Sequence, residues 1–109
     1  MTLAEKAGLM SGKNFWETKD YPAHKISSVF LADGPHGVRK QIKGVDNLGL
    51  SQSLRSTCFP TAAATANSWN PALGQELATC IGKEAAAKKV GVILGPALNI
   101  KRNPLCGRN

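Results

Sequence analysis

Asn70-Pro71-Ala72-Leu73-Gly74-Gln75-Glu76-Leu77-Ala78-Thr79-Cys80-Ile81-Gly82-Lys83-Glu84-Ala85-Ala86-Ala87-Lys88-Lys89-Val90-Gly91-Val92-Ile93-Leu94-Gly95-Pro96 reads as a helix running straight into a strand. Asn70 can cap the first turn, and Pro71 suits the first helical position because its missing N–H would have no partner there. Leu73, Leu77, Ile81 and Ala85 recur every four residues and form one apolar stripe. Glu84 and Lys88 have pairing distance along a helix, and Lys88 and Lys89 sit at the negative end of its dipole. Gly91 then releases the chain into Val92-Ile93-Leu94, an apolar run without alternation, as in a parallel strand covered on both faces.

A second such run lies upstream. Ser28 to Ala32 carries Val29-Phe30-Leu31-Ala32, and Gly34, Pro35 and Gly37 stop it sharply. Thr2 to Met10 reads as a short helix with capping-box spacing between Thr2 and Glu5, and Gly12 follows as a stop signal. Lys13 to Ser27 is irregular, and Lys40 to Thr57 is a polar loop long enough to be either functional or mobile. Cys58 to Ser68 is ambiguous, although its alanines favour helix. The order strand, loop, helix, strand predicts an α/β fold with right-handed βα connections.

The composition is that of a globular chain: 109 residues, 42% hydrophobic and 19% charged. The net charge of +7 admits a nucleic-acid binder. However, the basic residues are scattered, and three Phe, two Trp and one Tyr make no stacking platform, so this reading ranks last. Cys58, Cys80 and Cys106 are odd in number and widely spaced. They predict reduced, partly buried thiols and no structural zinc. Glu5 and Lys6 interrupt any leader-like apolar core, and no apolar run approaches the ~20 residues of a membrane span. A cytoplasmic protein without membrane contact is therefore expected.

Both apolar runs end in Gly-Pro, and in α/β proteins the loops at the carboxyl ends of parallel strands are where ligands bind. Asp33 stands at the first such end. Its carboxylate can accept hydrogen bonds from two neighbouring hydroxyls, or it can close a local Asx-turn. Arg39 and Arg108 offer rigid donor forks suited to hydroxyl pairs, or they are ordinary solvated arginines. His36 has no serine or cysteine nucleophile arranged with it by any recognisable pattern, while His24 reads as solvated. Trp16 and Trp69 read as core fillers rather than stacking platforms. Glu5, Glu17, Glu76, Glu84, Asp20 and Asp46 fall on helices or loops and form no recognisable acid/base pair.

Four ordered blocks carry a resemblance: Met1-Thr2-Leu3-Ala4-Glu5-Lys6-Ala7, then Ala32 to Arg39, then Thr57-Cys58-Phe59-Pro60-Thr61-Ala62, then Gly95 to Asn109. In order and spacing they resemble the N-terminal part of glycoside hydrolase family 3, of the bacterial β-glucosidase type. The resemblance implies that residues 1–109 are the opening strand–helix units of an incomplete (β/α)8 TIM-like barrel. The rest of the barrel and a second α/β sandwich domain would be absent. It also implies a short strand near Thr61 to Ala64.

For function, the resemblance implies a retaining β-glucosidase acting on terminal non-reducing β-D-glucosyl residues, without metal or organic cofactor. Its partner is a small carbohydrate, not nucleic acid. Asp33, Arg39 and Arg108 would bind the sugar in the −1 subsite. No catalytic residue would lie in the chain, because the family takes its nucleophilic Asp, its acid/base Glu and a Lys-His pair from later positions. The isolated chain is accordingly expected to be inactive and marginally stable, since a partial barrel leaves strand edges unpaired. A non-catalytic carbohydrate-binding or interaction module is the alternative.

Overall fold

The computed structural model describes residues 1–42, 51–96 and 105. The elements follow in the order α1 (Leu3–Leu9), a single 3₁₀ turn (Pro22–His24), β1 (Leu31–Asp33), α2 (Ala62–Asn67), α3 (Pro71–Ala87) and β2 (Val92–Leu94). β1 and β2 pair in parallel, with Leu31 opposite Val92, Ala32 opposite Ile93 and Asp33 opposite Leu94. The α/β expectation therefore holds, in a piece whose described sheet has two strands.

α3 forms as its signals predict. The Asn70 side chain accepts from the N–H groups of Ala72 and Leu73 at 3.0 and 3.2 Å, and Pro71 opens the first turn. Lys88 caps the other end and pairs with Glu84. α1 carries the full capping box: Thr2 accepts from the Glu5 N–H, and Glu5 accepts from the Thr2 N–H.

The core is small and sits between α3 and one face of the sheet. Ala32, Val38, Ala85 and Val90 are the buried hydrophobic residues among those described, with Phe30, Ile81 and Ile93 packed against them. Strand side chains alternate, so Ala32 and its partner Ile93 share a face. The opposite face is open: Val92 is 42% and Leu94 47% exposed. This corrects the expectation of strands covered on both faces. A single helical layer can cover only one side of a sheet.

Other expectations are corrected too. The first strand begins at Leu31, not Ser28, because Val29 and Leu31 spend their backbone groups on Thr18 and Trp16. Thr61 caps a helix over Ala62–Asn67 where the family resemblance implied a strand; the helix preference of alanine prevails. Cys58 and Cys80 are exposed, and Cys106 lies outside the described residues. Trp69 is 91% exposed at the α2–α3 junction, not a core filler. His24 is not merely solvated, since its Nε2 lies 3.3 Å from the Glu5 carboxylate. Of the loop after Lys40, Gln41 bridges Ser53, and residues 43–50 lie outside the described set.

Candidate functional site

The site grows from the way β1 ends. After Asp33 the chain closes a five-residue loop, Gly34 to Val38, and the Arg39 N–H donates to the Asp33 carbonyl at 2.9 Å. The loop needs two glycines. Gly34 has φ +123°, and a Cβ there would strike the Gly37 carbonyl. Gly37 has φ +150°, and a Cβ there would strike the carbonyl of Thr57. Such angles are essentially closed to residues with side chains. Val38 anchors the loop from inside: it is fully buried, and burying it contributes about 1.5–3 kcal/mol. Asp33 and Arg39 are thereby held at the two necks of one closed loop, and both are exposed.

The second Gly-Pro turn comes to the first. The parallel register sets Asp33 beside Leu94, and the backbone of Gly95 packs so closely on Pro35 that a Cβ at Gly95 would sit 2.9 Å from the Pro35 Cβ. Both strands thus discharge their loops at the same sheet edge. The other members of the second segment, including Arg108, lie outside the described residues.

Neighbouring contacts fix the loop from outside. The Phe59 N–H donates to the His36 carbonyl at 2.7 Å, and the Thr57 N–H donates to the Glu84 carboxylate at 3.1 Å. The Lys88 ammonium and that N–H hold the Glu84 carboxyl below its ordinary range. Hydrogen bonds from Thr2, with His24 nearby, lower the Glu5 carboxyl in the same way.

Sequence reasoning missed Lys40. Its Nζ donates to the carbonyl of Lys88 at 2.8 Å and to that of Lys89 at 3.4 Å, and lies 4.3 Å from the centroid of the Phe30 ring. No spacing rule links position 40 to the end of a helix 48 residues away.

A groove of about 500 Å³ lies between α2, α3 and the strand ends, lined by residues such as His36, Phe59, Ala66, Leu77 and Ile81. His36 is among the residues that line it. The groove's walls are apolar, and neither Asp33 nor Arg39 lines it. It offers a packing surface, not a place to satisfy sugar hydroxyls.

No protein-family model matches the chain. A thermostable β-glucosidase B of Acetivibrio thermocellus is 48% identical over 109 residues, which is all of this chain and 14% of that protein. An exo-α-(1→6)-L-arabinopyranosidase of Bifidobacterium longum is 44% identical, covering 99% of the chain and 14% of the relative. Among solved structures, a GH3 β-glucosidase of Bifidobacterium adolescentis matches with a TM-score of 0.84 and 42% identity, over 99% of this chain and 14% of that one. A β-glucosidase of Kluyveromyces marxianus solved in complex with glucose matches with a TM-score of 0.85 and 35% identity, over 99% and 12%.

Proposed function

The chain belongs to glycoside hydrolase family 3, as a segment matching the N-terminal part of much longer members, and from that premise we propose that it is one wall of a retaining β-glucosidase. Residues 1–109 supply the opening strand–helix units of the (β/α)8 barrel, and the remaining units and the second domain belong to the longer protein. Asp33, Arg39 and Arg108 bind the sugar of the −1 subsite. Asp33 accepts hydrogen bonds from two adjacent hydroxyls through its two carboxylate oxygens, while the guanidinium groups donate to hydroxyl oxygens of the same sugar.

One observation carries this reading: two parallel strands end together, the loop between Asp33 and Arg39 is closed and anchored, and the second Gly-Pro turn packs on the first. A ligand at that edge meets groups held in place before it arrives, which limits the ordering entropy of binding. The ligand is a β-glucoside by analogy with the relatives' names and with the glucose held by the Kluyveromyces marxianus enzyme. Those glycosidase names favour an enzyme over a non-catalytic carbohydrate module or a nucleic-acid binder.

Cleavage requires two carboxyl groups roughly 5–5.5 Å apart on either side of the scissile bond. The family resemblance assigns both to later positions, so the chain binds and orients but does not cleave. Replacing the corresponding segment of the Acetivibrio thermocellus enzyme by these 109 residues tests the reading. The hybrid is expected to release the aryl group from an aryl β-glucoside, and the chain alone to release none. Release by the chain alone, or a folded but inactive hybrid, would refute it.

A further inference from the structure

Lys40 links three parts of the molecule that the proposed sugar site depends on. It directly follows Arg39, whose N–H is bonded to the Asp33 carbonyl. Its half-buried ammonium reaches the last carbonyls of α3, on Lys88 and Lys89, where helix carbonyls lack partners and the dipole is negative. The same ammonium lies against the Phe30 ring, immediately before β1. Phe30 is also the point where β2 is aligned, since its carbonyl accepts from Gly91 and Val92 at 2.9 and 3.2 Å. On the backbone side, the Lys40 carbonyl accepts from Leu54 at 2.7 Å, which continues the loop's outer edge.

We propose that Lys40 is a positioning residue for the sugar site: by clamping the far neck of the Asp33–Arg39 loop to the end of α3, it sets where the Arg39 guanidinium and the Asp33 carboxylate stand relative to each other. The proposal rests on the reading of Asp33 and Arg39 as sugar-binding groups. Without the clamp, β1 still holds Asp33 through its pairing with β2. The Arg39 end of the loop then keeps its backbone bonds, from the Arg39 N–H to the Asp33 carbonyl and from the Leu54 N–H to the Lys40 carbonyl, and the burial of Val38, but it loses its tie to the end of α3. Small displacements of a binding group are enough to impair a reaction that depends on orientation.

The test uses the segment-substituted Acetivibrio thermocellus enzyme. Lys40→Met keeps an apolar stem over Phe30 and removes the charge and the donors; Lys40→Arg keeps both. Lys40→Met is expected to lower kcat/KM on an aryl β-glucoside roughly ten- to a hundredfold, with the melting temperature held within about 2 °C. Lys40→Arg is expected to recover most of the activity. A kcat/KM within twofold of the parent would overturn the proposal. So would parallel losses of activity and melting temperature that Lys40→Arg does not restore, since these mark a purely structural lysine. Asp33→Asn in the same enzyme separates the two readings. If it too leaves the kinetics unchanged, the sugar-site assignment itself has failed. If it is impaired while Lys40→Met is not, only the clamp has.

Discussion

Asp33 and Arg39 owe their placement to residues that make no claim to chemistry. Gly34 and Gly37 take angles that only glycine tolerates, and their missing side chains leave room for the carbonyls of Gly37 and Thr57. Val38 then pins the loop to the core. Gly34→Ala forces both a disfavoured φ and a clash with backbone, so a loss of about 2–4 kcal/mol is expected. With so small a core, the variant chain should lose helical circular dichroism at 25 °C under conditions where the parent keeps it; an unchanged signal would contradict the loop geometry. Sequence alone showed the pattern Asp-Gly-Pro-His-Gly and the sharp stop after the strand. It could not show Lys40, whose partners are carbonyls on a distant helix, because carbonyls are present at every position and leave no mark in the sequence.

Among the elements, legibility followed the strength of local signals. α3 was readable because Asn70, Pro71 and the four-residue stripe agree with one another, and β2 because Gly91 and Gly95 delimit it. β1 was displaced by three residues because its apolar run continues into a segment whose hydrogen bonds are taken by Trp16 and Thr18. In α2 the helix preference of alanine overrode the strand expected from the family.

The contact between α3 and the 57–59 segment runs through Glu84. Its carboxyl is lowered in the folded chain by Lys88 and by the Thr57 N–H, so it binds its proton more weakly folded than unfolded. Its contribution is fully present above the ordinary carboxylate range and is lost as pH falls through the depressed value. Urea midpoints measured from neutral to acidic pH should therefore fall less steeply in Glu84→Gln than in the parent. The acid slope owed to Glu5, lowered by Thr2, should remain in both. Identical slopes would mean that the Glu84 contacts contribute nothing.

As a whole, the molecule shows an unfinished interior. One face of the sheet is open and an apolar groove runs beside α2 and α3. The relatives are about seven times longer, since the chain spans 14% of the length of the first two. In our reading their additional strands and helices cover these surfaces and bring the reacting carboxyl groups to the edge that Asp33 occupies.

That β-glucosidases and an arabinopyranosidase share this segment at similar identity fits a wall that grips features common to several pyranoses. On the proposed reading, choice among sugars falls to groups outside this segment.

Titration calorimetry with glucose on the segment-substituted Acetivibrio thermocellus enzyme, with Asp33 and with Asn in its place, addresses the sugar-binding role without requiring turnover. Losing charge-assisted hydrogen bonds to two hydroxyls predicts a dissociation constant raised roughly ten- to a hundredfold. An unchanged dissociation constant in a properly folded Asp33→Asn enzyme would contradict the account at its root.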